Sequence, residues 1–557
     1  MHRKYRSSLA GALAGAWLLV TPPAFAQTAA ASPPALTNGR AEIERAGAII
    51  RAINITTDDV FDPDNPKENK ALYRFANRTH IDTRAEVIEN ALLFEVGDKF
   101  AARLLDESAR SLRARNFLAE VTIEPRNYDA VANTVDIDVR VRDSWTLSTD
   151  LKFHHSGGVS EWGVGLEDRN LLGFGKELKV SYRSYVDRDE QYLGYTDPNL
   201  LGSRARLSAV YTDASDGYRH ELDVGRPFYG IDTRWSVGST FKDEQRVDKM
   251  YDLGEEVDRF HHALRLTTLQ GGWSRGTIDG RAQRWLLGVT VEEDHFQPTP
   301  ETVETPPTVL LPADRELVYP WVGWQRTEDD YREMSEVNDM GKTEDISLGL
   351  DLLFRVGFAR QSFGSDRDAT LFEASAQSGW EVGGPGRMLL LDAGGSTRSE
   401  DDGLHNSQIY AGARYYRRNL DKHMLTVSLN TLVGHNLDAE QQVLLGGDNG
   451  LRGYPLRYQA GEQRALLTVE ERFFTDWYPW RLVRVGYAVF ADAGRVRGND
   501  PRAAPSLGTL YDVGIGLRLS SPRASGHSIV HMDLAFPLNA DPSIDSVQLI
   551  IETKGSF

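Results

Sequence analysis

Apolar and polar residues alternate with a period of two from Trp145 to the end of the chain. The alternation is clearest in residues 285–291, 344–352, 512–519 and 530–536, where Trp, Val, Ile, Leu, Met or Phe recurs at every second position. Successive side chains of a β-strand point to opposite faces, so this period predicts strands with one apolar face. No helical stripe interrupts the pattern, and residues 145–557 therefore predict an all-β region.

The pattern before residue 145 is mixed and predicts a small α+β domain over residues 47–144. Its elements, in order, are an apolar β-branched run at 47–57, helical periodicity at 84–94 and 99–117, and two alternating strands around 119–123 and 135–141. Elements in the order strand, helix, helix, strand, strand can form one sheet with a layer of helices packed on one of its faces.

The first 26 residues have the three parts of a secretory signal peptide. A basic start is followed by an apolar run at 9–20 and by small residues at Ala24 and Ala26. We expect cleavage after Ala26, since the run is too short to cross a bilayer. Residues 27–46 are rich in Ala and Pro and predict a linker.

Composition favours a membrane barrel over a nucleic-acid-binding protein or a disulfide-rich one. The chain has 63 Lys and Arg against 81 Asp and Glu, and no Cys. Loss of the three basic residues of the leader makes the balance more acidic, which excludes nucleic acid as an expected partner. A mean hydropathy of −0.42 is compatible with a barrel, because only alternate residues of its strands contact lipid.

The last strand and the aromatic residues distinguish a transmembrane barrel from a soluble sandwich, which alternates similarly. In the C-terminal strand Val547, Leu549, Ile551 and Phe557 share one face, and a terminal aromatic residue resembles the sorting signal of outer-membrane barrels. Aromatic residues also gather at expected strand ends, where interface girdles form. These are Tyr319, Trp321, Trp324, Trp477, Tyr478 and Trp480.

Counting alternating segments gives about 20 strands. With an even number of strands, the first strand starts and the last strand ends on the same side of the membrane, which is the side of the α+β domain. The loop at 434–463 then lies on the opposite side, and the acidic stretch 328–343 becomes an unusually long turn on the domain side. The count is least certain within 259–397.

The sequence LRGY at 451–454 resembles the lid-loop motif of the superfamily that contains BamA/TamA-type assembly factors and two-partner-secretion transporters. Segments LTVEERF (467–473) and VFADAG (489–494) resemble the two strand motifs that follow it. The resemblance implies a 16-stranded barrel preceded by a POTRA domain, and GDKFAARLLDESARSLRARNFLAEVTI is similar to part of that domain. The insertion at 58–80 departs from a minimal POTRA domain.

Strand parity gives the lid-loop arginine two candidate partners. Glu470 and Asp492 each fall on the polar, inward face of their strand. Arg452 on a loop folded into the barrel could bind both carboxylates, since the guanidinium fork suits that pairing. Leu451, Gly453 and Tyr454 complete the expected latch, with Gly453 permitting a tight backbone turn.

The resemblance implies a bacterial outer-membrane protein, of the surface-antigen type, whose POTRA-like domain lies in the periplasm and which inserts or exports proteins. Expected partners are membrane lipids, unfolded client proteins and accessory periplasmic proteins or lipoproteins. A two-partner-secretion transporter is the main alternative. Such proteins usually carry two POTRA domains and a plug helix, whereas about 20 residues separate the predicted cleavage site from the first strand. A passive porin, which would lack the α+β domain, is a further alternative.

Catalytic and metal-binding motifs are weak, and we expect no enzyme, cofactor or metal. GWSRG at 272–276 matches the nucleophile elbow of hydrolases, but Ser274 lies between two β segments rather than before a helix. An outer-membrane lipase remains the enzymatic alternative. DMGKT at 339–343 lacks the first P-loop glycine, and the adjacent pairs His154/His155 and His261/His262 point to opposite strand faces.

Overall fold

The computed structural model describes most of the chain between Thr37 and Lys554. The described residues are 37–149, 152–156, 158–299, 311–420, 422–498, 500–526 and 528–554. The predicted signal peptide (1–26) and Phe557 of the predicted sorting strand lie outside them.

An α+β domain precedes the barrel. Its elements are α1 (Thr37–Arg45), β1 (Ile49–Asp58), α2 (Ala71–Thr79), α3 (Ala85–Glu89), α4 (Ala102–Arg113), β2 (Leu118–Asp129) and β3 (Thr134–Asp143). The sheet order is β1-β3-β2, with β3 parallel to β1 and antiparallel to β2.

The core of the domain forms where α4 covers the sheet. Leu105 and Leu112 lie two turns apart on a single face of α4 and pack in one core with Ile137 and Val139 of the central strand. Residues 37–45 belong to the predicted linker (27–46) but form α1 instead. Ile43 is buried in the same core, and its burial stabilises the helix.

The rest of the chain forms a closed antiparallel barrel. Its strands are β4 (Leu147–Thr149), β5 (Lys152–Ser156), β6 (Val159–Asp168), β7 (Glu177–Ser184), β8 (Asp189–Asp197), β9 (Arg206–Ala214), β10 (Gly217–Arg226), β11 (Trp235–Asp252), β12 (Glu255–Ile278), β13 (Arg281–Pro298), β14 (Arg315–Glu328), β17 (Asp351–Ala359), β18 (Ala369–Glu381), β19 (Arg387–Glu400), β20 (Gly403–Leu420), β21 (His423–His435), β24 (Gln463–Phe474), β25 (Arg484–Arg497), β26 (Thr509–Ser520), β27 (Ile529–Pro537) and β28 (Gln548–Lys554). Two further hairpins lie outside the wall: β15 (Tyr331–Ser335) with β16 (Thr343–Ser347), and β22 (Val443–Leu445) with β23 (Gln459–Gly461).

The described residues form a barrel of 20 strands, because β4 and β5 both pair with β6 and make one interrupted strand. The antiparallel barrel is confirmed, and the 16 strands implied by family resemblance are wrong. In the doubtful stretch 259–397 the alternating segments belong to separate strands rather than to halves of longer ones.

The outer surface of the barrel is apolar. Leu287 on β13, Leu269 on β12, Ile409 on β20 and Ile515 on β26 each expose more than half of their surface. A closed sheet with a continuous apolar outside satisfies its backbone internally, as insertion into a bilayer requires.

Among the described residues, no helix is both long and apolar enough to cross a membrane.

Two details of the predicted strands differ. Residues 344–352 divide between β16, outside the wall, and β17, within it, because Ile346 and Leu348 pack into an apolar cluster inside the barrel. Trp321 was expected in an interface girdle but points inward. It is 4% exposed, and its indole Nε1 donates to Thr290 Oγ1 at 3.1 Å.

The two barrel ends are defined by the α+β domain. We call the end beside that domain proximal and the opposite end distal. The first strand leaves the domain at the proximal end, and 20 antiparallel strands return the chain there. The seam between first and last strands is thinly paired. Among the described residues one register pair, Ile551 with His155, joins β28 to β5, against seven between β27 and β28.

Candidate functional site: two segments inside the barrel

The distal connection between β21 and β24 folds into the barrel. This lid loop comprises residues 436–462, slightly fewer than the predicted 434–463, because β21 continues to His435 and β24 starts at Gln463. At the base of the loop, β22 pairs with β23 and joins its two arms. Leu451 and Tyr454 at its tip are fully buried, and Arg452 is 6% exposed.

Arg452 meets both carboxylates that strand parity selected. Its Nε donates to Asp492 Oδ2 at 2.8 Å and its Nη2 to Asp492 Oδ1 at 3.1 Å, which makes a bidentate pair. Its Nη1 donates to Glu470 Oε2 at 3.0 Å. The neighbouring Glu471 faces away and accepts from Asn419 at 3.2 Å. The role of this contact as a functional latch stays a prediction.

Three further charged residues belong to the same cluster and were not predicted as members. Asp533 on β27 accepts from Arg452 Nη1 at 3.2 Å, and Arg518 on β26 binds both Asp533 and Glu470. Arg472 donates from Nε to the second oxygen of Glu470 at 3.0 Å. All three point inward from strands whose residues alternate between the two faces of the wall. The alternation that selected Glu470 and Asp492 could therefore have predicted them too.

Gly453 and Tyr454 fix the loop beside Arg452. The amide of Gly453 donates to Asp512 Oδ2 at 2.9 Å, and the hydroxyl of Tyr454 donates to Asn539 Oδ1 at 2.9 Å. The expected tight turn is present, since the amide of Tyr454 donates to the carbonyl of Leu451 at 3.2 Å, but Gly453 forms it without a left-handed backbone. Space is the constraint instead, since a Cβ there would lie 2.6 Å from the Cβ of Asp512.

The cluster keeps its charges buried by pairing them. Arg452 also lies over the ring of Phe490, with its guanidinium carbon 3.2 Å from the ring centre. Removing one partner from such a buried network leaves an uncompensated charge, which typically costs ~3 to 5 kcal/mol. The arrangement can therefore hold the lid firmly, and it needs Arg452 to do so.

Contacts at the distal rim hold the rest of the lid loop. Arg457 makes a bidentate pair with Asp187 in the β7–β8 turn, at 2.9 and 2.7 Å. Burial alone would raise the pKa of Asp187, but hydrogen bonds from Arg457 and Tyr251 outweigh it and lower that pKa below its usual value. Asp438 makes a second bidentate pair with Arg398, at 2.9 Å for both bonds.

The long turn expected at 328–343 is a second insertion, entering from the proximal end. It carries the β15–β16 hairpin, and we call residues 331–347 the plug hairpin. Val337 and Met340 at its tip are 0% and 1% exposed. They pack with wall residues that include Met388 and Phe474. This apolar contact inside the barrel explains why so long a turn is ordered.

Polar contacts lock the plug hairpin to the wall. Arg472, which binds Glu470, also donates from Nη1 to the carbonyl of Val337 at 2.7 Å. Lys342 Nζ donates to the carbonyls of Ala524 and Gly526 at 3.0 and 2.5 Å. Arg452 of the lid loop binds Glu470, Glu470 binds Arg472, and Arg472 binds the plug hairpin. One carboxylate and one arginine therefore connect the two segments.

The plug hairpin also contacts the α+β domain. Arg113 at the end of α4 makes a bidentate pair with Asp345, at 2.7 and 2.6 Å, and donates to Glu333 at 2.8 Å. Arg110, one turn earlier, binds Asp329 at the base of the hairpin. The domain therefore contacts the element that enters the barrel at its own end.

The remaining predicted residues lie apart from this site. In β28 and the residue before it, Val547 and Leu549 are exposed on the outer face, while Ile551 is half-buried. Ser274 lies within β12 opposite Arg284 of β13, and the chain continues into the next strand rather than a helix.

One compact group with metal-ligand chemistry lies where the α+β domain meets the barrel. His80 Nε2 lies 2.9 Å from Asp143 Oδ2, and Asp143 also accepts from the amide and hydroxyl of Thr83 at 2.8 and 2.6 Å. Both oxygen atoms of this carboxylate already bind protein groups. The group therefore stabilises the connection between the domain and the first strand.

No protein-family model matches the chain, and no curated protein sequence matches it significantly. The structure is similar to that of BamA from Haemophilus ducreyi lacking POTRA domains 1–3, with 12% identity, a TM-score of 0.38, and coverage of 91% of this chain and 85% of that one. It is similar to CdiB from Acinetobacter baumannii at 12% identity and TM-score 0.45, and to CdiB from Escherichia coli at 14% and 0.45. These two matches cover 91% of this chain and 74% and 77% of the CdiB chains.

Proposed function

We propose that this protein is a bacterial outer-membrane factor that inserts client proteins into the membrane or exports them across it. The observation that carries the proposal is that two segments, the lid loop and the plug hairpin, fold into the barrel from opposite ends. Arg452 holds the lid loop from the distal side, and the plug hairpin closes the proximal side. A passive porin needs an open lumen, whereas a translocation factor needs a barrier that yields only when a client engages.

Among the described residues β28 and β5 share one register pair, and this seam supports a route for the client. A strand with few ladder partners leaves unpaired N–H and C=O groups that an incoming β-strand can use. In this mechanism a client strand pairs with an edge at the opened seam, which is strand addition. The other neighbouring strand pairs are longer and remain closed.

The α+β domain is proposed to act as a single POTRA-like periplasmic module. Its helices pack on a three-stranded sheet in which β1 and β2 are the edge strands. An edge strand can dock an extended client segment by the same backbone pairing that operates at the seam. Because Arg113 joins α4 to the plug hairpin, a client bound to this domain is placed next to the closure it must open.

Depletion of the protein followed by quantitative proteomics of the outer membrane tests the proposal. Broad loss of barrel proteins is expected if the protein is an assembly factor. Loss of one secreted protein, with barrel proteins unchanged, would identify a dedicated exporter of the two-partner-secretion type. An unchanged outer membrane and secretome would overturn the proposal. Expected partners are lipids, unfolded client proteins and periplasmic or lipoprotein accessory factors.

Complementation of the depleted strain tests whether activity requires the Arg452 contact or only a barrel inserted in the membrane. Arg452→Ala should reach the membrane but fail to restore the lost proteins. Arg265→Ala is the matched control, since this arginine lies on the barrel with 58% of its side chain exposed and outside the buried cluster.

A further inference from the structure

Helix α2 has apolar residues on two opposite sides. On one side Tyr73 is buried with Phe61, and Leu482 of the barrel packs against this group. On the other side Leu72 and Phe75 expose 61% and 63% of their surface. Two large neighbouring apolar side chains in water are costly, which indicates a surface that something covers.

The helix is fixed at the proximal rim of the barrel. The hydroxyl of Tyr73 donates to the carbonyl of Trp480 at 2.5 Å. Trp480 lies in the turn between β24 and β25 and is itself 74% exposed, as is Trp477 at 59%. Tyr487 on β25 continues this surface onto the outer face of the wall. The helix that carries Leu72 and Phe75 is therefore held at the rim, where the wall also exposes large aromatic residues.

The charge of the helix differs from that of the chain. Lys70, Arg74 and Arg78 are all exposed, and no Asp or Glu occurs between residues 69 and 79. The whole chain has a formal charge of −18. Basic residues beside exposed Leu, Phe and Trp are the composition of a helix that lies in the membrane interface, where phosphates attract cations and the apolar side enters the acyl boundary.

We propose that α2 is an interfacial anchor that lies in the lipid headgroup region at the proximal rim. Leu72 and Phe75 enter the acyl boundary beside Trp477 and Trp480, and the basic residues contact lipid phosphates. The anchor holds the α+β domain against the bilayer and beside the plug hairpin. This inference requires the barrel to be in a membrane and is independent of what the barrel transports.

Site-directed spin labelling of the full chain in vesicles tests the anchor, and the absence of native cysteine makes each label unique. Labels at Leu72→Cys and Phe75→Cys are compared with two references. Val489→Cys lies on the outer face of β25 at 50% exposure, and Val131→Cys lies on the β2–β3 turn at 99%. Vesicles contain phosphatidylcholine with or without phosphatidylglycerol, and collisions with oxygen and with a water-soluble nickel chelate are measured.

Labels at 72 and 75 are expected to favour oxygen over the nickel chelate, as the label at 489 does, while the label at 131 favours the chelate. Nickel access at 72 and 75 equal to that at 131 would overturn the anchor. So would exclusion of both reagents, which indicates a protein surface such as a second copy. A label at 489 that is open to nickel would instead show that the barrel is not inserted.

The basic residues give a second measurement. In Lys70→Gln/Arg78→Gln the preference of the label at 75 for oxygen should fall in phosphatidylglycerol vesicles and change little in pure phosphatidylcholine. The same fall in both lipids would contradict a contact with anionic headgroups. Lys67→Gln, also exposed but outside the helix, is the control.

Discussion

Arg452 and Arg472 bind different oxygen atoms of the Glu470 carboxylate, at 3.0 Å each. Arg452 belongs to the lid loop, whereas Arg472 holds the plug hairpin through the carbonyl of Val337. One buried carboxylate thus lies between the closures of the two barrel ends. Disturbing either arginine changes the charge balance of the other, and we expect the two closures to open together.

Glu470→Gln tests this coupling. The amide keeps the shape of the carboxylate but carries no negative charge, so it leaves three buried arginines short of a counter-charge. Each lost buried pair typically costs ~3 to 5 kcal/mol. We expect both the lid and the plug to loosen, measured as increased mobility of spin labels placed at Gln441 in the lid loop and at Met334 in the plug hairpin.

Glu471→Gln is the matched control, because this neighbour faces away from the cluster and binds Asn419. It should leave both labels unchanged. Loosening of the lid label alone in Glu470→Gln would show that the two closures are independent.

Arg452→Ala should fold and insert but lose activity. The variant leaves Asp492 and Glu470 without their shared partner, while Arg472 and Arg518 still bind Glu470 and keep the wall intact. Arg452→Lys should recover only part of the activity, since a lysine cannot reproduce the bidentate pair with Asp492. Heat-modifiable migration on gels measures folding, and complementation of the depleted strain measures activity. Full activity in Arg452→Ala would contradict the latch.

The period-two pattern predicted the wall strands, because each must present an apolar outside and a polar inside, and the C-terminal strand favoured a barrel over a sandwich. The same parity placed Glu470 and Asp492 on the inner face. The plug hairpin could not be predicted in this way. Its sequence is polar apart from a few residues, and its burial depends on Met388 and Phe474, which are distant along the chain. Trp321 lies on the inward face of β14, two periods of the alternation from Leu317, while Val322 faces out, and Thr290 accepts from its indole there.

Removal of the plug hairpin should open the proximal end. Replacing residues 331–347 by an Asn-Gly turn preserves the connection between β14 and β17 but removes Val337 and Met340 from the lumen. We expect planar-bilayer recordings to show larger and more frequent conductance steps than the unaltered protein. Replacing the turn at 279–280, between β12 and β13 at the same end, by the same two residues is the control, since Asp279 is exposed. Unchanged conductance would mean that the lid loop alone closes the barrel.

The contact between Arg113 and Asp345 links the α+β domain to the plug hairpin. Arg113→Asp places two carboxylates together and should increase the mobility of a label at Met334. The double variant Arg113→Asp/Asp345→Arg restores an opposite-charge pair and should recover most of the lost order. Failure of the double variant to recover would assign the effect to damage within α4 rather than to the ion pair. Circular dichroism of each variant checks that the helix remains.

The pair between Arg457 and Asp187 predicts how the lid loop responds to pH. Hydrogen bonds from Arg457 and Tyr251 lower the pKa of Asp187 despite its burial. A carboxylate with a lowered pKa contributes stability that is present above its ordinary value of ~3.9 and is lost as the pH falls through the lowered one. We therefore expect the lid loop to stay docked from about pH 8 to about pH 5 and to loosen only in stronger acid. Asp187→Asn should show the acid-like mobility of a label at Gln441 already at neutral pH, and Asp189→Asn, an exposed neighbour, should not. A lid label whose mobility is the same in Asp187→Asn and in the unaltered protein would show that the buried Arg452 cluster alone fixes the loop.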